Sequence, residues 1–87
     1  MLSATPAVSL NVGSCMYLLG RWAEAEPYLI TALQDDKSKG EATVWLSILK
    51  DKQGKAQEAK DLLEQAKQLA PKTAEGYESL KRLEILK

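Results

Sequence analysis

Few residues of this 87-residue chain have side chains suited to catalysis or metal binding, and none has the neighbours such chemistry requires. Cys15 is the only cysteine, and the chain contains no histidine that could activate its thiol as a nucleophile. The carboxylates Glu58, Asp61 and Glu64 recur every three residues, which could suit acid–base catalysis or a metal ion, but lysines lie among them. We therefore expect these carboxylates to lie on a solvated helix surface.

Two short segments match ligand-binding motifs only in part. Gly54-Lys55 lacks both the first glycine and the serine or threonine of a phosphate-binding loop. Asp35-Asp36 has no further oxygen ligands at the spacing of a calcium loop. We expect a protein that is not an enzyme and that needs no cofactor or metal ion.

The balance of charge argues against two classes of partner. Twelve lysine and arginine residues offset twelve aspartate and glutamate residues, which gives a formal net charge of zero. A nucleic-acid binder or a membrane-surface helix would carry a basic face, so we expect neither nucleic acid nor membrane as a partner. Residues 1–19 lack the positively charged start and unbroken apolar run of a signal peptide, and we expect a cytoplasmic location.

The chain contains an internal repeat. A shift of 34 residues lays residues 20–25 over 54–59, both beginning with glycine and ending with alanine. The same shift lays Leu29 over Leu63 and Ala32 over Ala66. So many matches at one offset indicate a tandem duplication of a 34-residue unit.

Each unit is predicted to form two helices. In the first unit, Thr5 suits the N-cap, Pro6 suits the first helical position, and Gly20 suits the helix end. We expect the apolar residues spaced at i, i+4, i+7 and i+11 to face the core, with the cysteine buried among them: Val8, Val12, Cys15 and Leu19.

The remaining elements follow the same plan. A second helix is predicted from about Trp22 to Gln34, followed by a polar connector over 35–40. The second unit repeats the pattern and is expected to stop at Pro71, and a capping helix is predicted over about 74–86.

These residues resemble the tetratricopeptide repeat, a helix–turn–helix unit of 34 residues. The positions that carry the resemblance are Val12, Gly13, Gly20, Ala25, Leu29 and Ala32, and then Leu46, Ser47, Gly54, Ala59, Leu63, Ala66 and Pro71. The resemblance implies an all-α fold, a right-handed superhelix of tandem helix–turn–helix units with five helices. It divides the chain into an N-terminal extension at 1–5, repeats at 6–39 and 40–73, and a C-terminal capping helix at 74–87.

The resemblance also implies where a partner binds. In this family the first helices of successive repeats line a concave groove that accepts a peptide or a helix. The corresponding positions here are Leu10, Asn11, Ser14, Tyr17, Leu18, Glu41, Val44, Trp45, Ile48, Asp51, Lys52 and Arg82. The lysines and asparagines that clamp chaperone C-terminal carboxylates in some members are replaced, so we do not expect that clamp.

The centre of this groove is unusually apolar for an exposed surface, and three explanations remain open. Neighbouring repeats could cover it if the chain is part of a longer array. A second copy could cover it in a homodimer, or an amphipathic helix of a partner could dock there. The resulting hypotheses are a non-catalytic protein–protein interaction module and a structural segment of a scaffold in a multi-subunit assembly, such as a trafficking coat or secretion apparatus.

Overall fold

A computed structural model describes the backbone of residues 6–82 and the side chains of residues 8–78. Within this range the chain is all-α and has no strand, which confirms the predicted fold class. The five helices are α1 (Pro6–Leu18), α2 (Trp22–Ala32), α3 (Asp36–Lys52), α4 (Ala56–Leu69) and α5 (Pro71–Arg82). None of them is long and apolar enough to cross a membrane. The predicted N-cap Thr5 and the predicted end of the capping helix lie outside the described residues.

The helices form two hairpins and a closing helix. α1 packs against α2, and α3 packs against α4. The hairpins meet where α2 contacts α3 and α1 contacts α3, and α5 packs on both α3 and α4. Since α3 touches both α1 and α5, these three helices form one layer, and the face of this layer carries the candidate site.

The turn within each hairpin is made by glycine. Gly20 has φ 81° and Gly54 has φ 79°, in the left-handed region that glycine adopts without strain. The Gly20 amide donates to the Tyr17 carbonyl at 2.9 Å, and the next amide donates to the Met16 carbonyl at 2.9 Å. This pair of bonds is a Schellman motif, and the turn at Gly54 repeats it, so the predicted helix ends are confirmed.

Small residues let the helices of each hairpin approach closely. A Cβ atom at Gly13 would lie 2.7 Å from Leu29 Cδ2, well inside van der Waals contact. Ser47 occupies the equivalent place in the second hairpin, where its hydroxyl donates a buried hydrogen bond of 2.8 Å to the Ala59 carbonyl. The second helix of each hairpin buries small residues and one leucine against the first helix. These residues are Ala25, Leu29 and Ala32 of α2, and Ala59 and Ala66 of α4.

The predicted inner face of α1 is wrong. Leu19 is 70% exposed, Val8 is 43% exposed, and Cys15 is exposed rather than buried. The buried positions are instead Ser9, Leu10, Gly13 and Tyr17. The apolar pattern could not select the face because residues 6–18 contain no charged side chain, and the close approach of Gly13 to Leu29 sets the helix rotation.

The predicted connector over 35–40 is also wrong, because α3 already begins at Asp36. Asp35 takes the N-cap position in an extended conformation, and its carboxylate accepts a hydrogen bond of 3.3 Å from the Ser38 hydroxyl. Gly40 therefore lies inside α3, where an added Cβ would be 2.6 Å from Ala70 Cβ. The segment is polar and yet helical because the helix packs against residues 69–70.

Ion pairs bridge the junctions between successive units. Lys50 of α3 contacts Glu26 of α2 at 2.9 Å, and both side chains are largely covered. Lys67 of α4 contacts Glu78 of α5 at 2.9 Å. The capping helix begins at Pro71, three residues earlier than predicted, and Glu78 faces α4 through this ion pair.

Candidate peptide-binding groove

One groove crosses the layer formed by α1, α3 and α5. It encloses about 380 Å³, within the ~300–1,000 Å³ range of pockets that hold small ligands. Its wall is built from the C-terminal end of α1, the middle of α3 and the first half of α5. The lining residues are Tyr17, Leu18, Glu41, Val44, Trp45, Ile48, Thr73, Gly76 and Tyr77.

Aromatic rings form much of the wall. Tyr17 and Trp45 meet edge to face, with ring centroids 5.5 Å apart and ring planes at 61°. This is a favourable arrangement of aromatic quadrupoles. Tyr17 and Tyr77 are each only 6% exposed, whereas Trp45 is half-buried. The groove therefore has two fixed tyrosines and a more accessible indole.

The apolar centre is less exposed than the sequence analysis expected. Val44 and Ile48 belong to the hydrophobic core together with Leu10 and Tyr17. They are covered because α5 packs against α3 and the two hairpins bring α1 against α3. Tyr17, Val44 and Ile48 therefore support the fold as well as line the groove. Trp45 is the aromatic residue whose removal tests binding with least damage to the core.

The groove contains little charge. Among the described side chains, Glu41 is the one charged residue in its wall, and it is exposed. Burial is the main cause that raises the pKa of the Tyr17 phenol, and the nearby Tyr77 and the negative charge of Asp51 raise it further. The phenol therefore stays neutral, and the site offers apolar and aromatic surface with one carboxylate at its edge.

The structure brings half of the predicted site residues together at this groove. These are Tyr17, Leu18, Glu41, Val44, Trp45 and Ile48.

The other predicted positions lie elsewhere. Leu10 is buried in the core, and Asn11 is exposed on α1. The Ser14 hydroxyl donates to the Leu10 carbonyl at 2.6 Å. Asp51 lines a smaller cavity of about 250 Å³ between α3 and α4. Lys52 is half-buried at the end of α3, and the side chain of Arg82 lies outside the described part of the chain.

Sequence reasoning missed three lining residues, namely Thr73, Gly76 and Tyr77 of α5. Pro71 was the available signal, because proline suits the first turn of a helix as well as the end of the preceding one. With α5 starting there, Thr73, Gly76 and Tyr77 share one face at i, i+3 and i+4.

Nothing in the described part of the chain assembles a metal site, since it contains no cluster of three or more His, Cys, Asp or Glu side chains suited to an ion. The groove itself combines aromatic and aliphatic surface with a single carboxylate. Such a surface suits recognition of apolar side chains from a peptide or helix.

A family model described as Tetratricopeptide repeat matches residues 16–83, which include the groove and all five helices in whole or in part. The chain belongs to the tetratricopeptide repeat family. Tetratricopeptide repeats are generally protein–protein interaction modules. No curated protein and no solved structure gives a significant match to the chain.

Proposed function

We propose that this tetratricopeptide repeat chain is a non-catalytic module that binds a peptide or an amphipathic helix in the groove formed by α1, α3 and α5. The observation that carries the proposal is the groove itself, an apolar cavity of about 380 Å³ walled by Tyr17, Trp45 and Tyr77. Aromatic side chains in a concave surface are typical anchors of protein recognition, because they bury a large area with little loss of side-chain entropy.

The mode of binding follows from the chemistry of the wall. Apolar and aromatic side chains line the groove, so the main contribution to affinity should come from burial of apolar side chains of the partner. An amphipathic helix presents such side chains in a row at i, i+3, i+4 and i+7. We expect this groove to bind neither nucleic acid, nor membrane lipid, nor the C-terminal carboxylates of chaperones. The cytoplasmic location also stays a prediction.

The test begins with capture of partners by the wild-type chain, identification by mass spectrometry, and calorimetric titration of each purified candidate. Trp45→Ala should weaken binding by ~2 kcal/mol or more if the indole is a central anchor. The matched control is Trp22→Ala, which removes the same side chain from the first turn of α2, away from the groove. Equal affinity of wild type and Trp45→Ala would contradict the proposed site.

A second function is favoured by a separate observation, the exposed apolar face of α1. Val8 and Cys15 lie exposed on this helix, and Leu19, directly after its end, is exposed as well. We propose as the alternative that this face packs against further repeats of a longer superhelix that acts as a scaffold in a multi-subunit assembly, or against a second copy. Two hairpins and a cap are also fewer than the three repeats usually needed for independent stability.

Two measurements separate these alternatives. Sedimentation velocity over a range of concentrations should show a monomer if the chain acts alone and a dimer if copies associate, and Leu19→Lys should abolish that dimer. The size of the native gene product and the presence of more 34-residue units in it test the longer superhelix. A stable monomer from a gene product without further repeats would contradict the alternative.

A further inference from the structure

Gly76 lies inside α5 and lines the groove, and nothing in the described part of the chain requires glycine there. An added Cβ at this position would meet no heavy atom within 4 Å. By contrast, Gly13 and Gly40 lie at close approaches between helices, with an added Cβ at 2.7 Å and 2.6 Å from its nearest neighbour. The backbone of α5 at Gly76 is therefore left bare toward the groove without a packing reason.

Glycine in a helix interior has a cost. It is the poorest helix former after proline, because the unfolded chain loses most conformational freedom there. A side chain at position 76 would start in open space, since an added Cβ meets no heavy atom there. A larger side chain there would project into the groove that Thr73, Gly76 and Tyr77 line from the α5 side.

The described residues that line the groove carry only negative charge. Among the described residues, Glu41 is the only charged one in the lining; it is exposed and takes part in none of the ion pairs between described side chains. It precedes Trp45 by four residues, which places it about 6 Å along the axis of α3 from the indole. A partner that fills the groove would therefore bring its own flanking residues close to this exposed carboxylate.

We propose that the partner segment seats one bulky apolar side chain over the bare backbone at Gly76 and places a flanking lysine or arginine against Glu41. This inference rests on the proposed function and adds the chemical identity of the segment. Gly76 determines which side chains fit, because its missing side chain leaves the space that the anchor occupies. Glu41 selects the sign of the flanking charge.

The experiment is selection of a random-peptide phage library on the wild-type chain, followed by titration of the enriched synthetic peptides. Enriched peptides should share a Leu, Ile, Met, Phe or Trp together with a Lys or Arg at a constant spacing from it. Gly76→Leu should weaken their binding at least about 30-fold, the equivalent of ~2 kcal/mol. Its thermal unfolding midpoint should not fall, because leucine is the better helix former.

Two further variants make the selection specific. Glu75→Leu adds the same side chain to the neighbouring position of α5, outside the groove lining, and should leave peptide affinity unchanged. Glu41→Lys should weaken the basic peptides about fivefold, the scale of one exposed ion pair, and selection on this variant should enrich acidic flanks instead.

The outcomes separate the inference from the proposed function. Peptides that lose affinity in Trp45→Ala but bind Gly76→Leu and Glu41→Lys as well as wild type would overturn the inference and leave the groove as the binding site. Peptides that bind independently of Trp45, or a wild-type chain that retains none, would overturn both.

Discussion

Replacing Gly40 by alanine should destabilise the protein, although alanine is the better helix former. The added Cβ would lie 2.6 Å from Ala70 Cβ and 3.2 Å from the Leu69 carbonyl carbon and oxygen, against ordinary carbon–carbon contacts of about 3.5–4.0 Å. These obstacles belong to or are attached to backbone, so they cannot rotate away. Overpacking costs about 1–3 kcal/mol and the propensity gain is about 1 kcal/mol, which leaves a net loss of up to about 2 kcal/mol.

Chemical denaturation followed by far-ultraviolet circular dichroism measures this loss, and the same change elsewhere supplies the controls. Gly13→Ala should cost less than Gly40→Ala, because its nearest contacts are the side-chain atoms of Leu29, which repack more readily than backbone. Gly76→Ala, with open space around the new methyl group, should stabilise by about 0.5–1 kcal/mol. A Gly40→Ala variant as stable as Gly76→Ala would refute the position of α3 against residues 69–70.

Further predictions concern packing, exposure and pH. Ala66→Leu at a fully buried site should cost about 1–3 kcal/mol in denaturation experiments and Ala56→Leu at an exposed site much less, and equal costs would contradict the face assigned to α4. The exposed Cys15 thiol should react with Ellman's reagent in the native state as fast as in denaturant, and strong protection would place α1 in the rotation predicted from its apolar pattern. The raised pKa of Tyr17 favours the neutral phenol in the native state, so this contribution to stability is full below about pH 10 and is lost as pH rises through the raised value. The thermal unfolding midpoint of Tyr17→Phe should therefore fall less between neutral and alkaline pH than that of the wild type. An identical fall in both proteins would contradict the raised pKa of the buried Tyr17 phenol.

The repeat offset and the turn glycines made most of the fold predictable. Glycine at positions 20 and 54 marks helix ends through a backbone conformation that other residues rarely adopt, so the signal is local and strong. The alanines at the hairpin contacts recur at the 34-residue shift, which pairs Ala25 with Ala59 and Ala32 with Ala66. The rotation of α1 was not predictable, because a helix without charged residues has no polar face to oppose its apolar one.

The groove was predictable on its α3 side and less so elsewhere. Glu41, Val44, Trp45 and Ile48 follow from the resemblance position by position, and the structure places all four in the lining. The contribution of α5 depended on where that helix begins, and the structure starts it at Pro71 rather than at the predicted position 74. Burial of Tyr17 depended on contacts between separate hairpins, which no local pattern records.

The most direct test of binding in the groove uses the only two tryptophans of the chain as reporters. Trp45 lies in α3 and lines the groove, whereas Trp22 lies in α2 and is not among the lining residues. Their indole N–H resonances in a two-dimensional nitrogen–proton NMR spectrum can be assigned with Trp22→Phe and Trp45→Phe. Titration with a peptide enriched on the wild-type chain should shift the Trp45 indole resonance and leave that of Trp22 in place. A titration that moves the Trp22 resonance and leaves Trp45 unchanged would contradict binding in the groove of α1, α3 and α5.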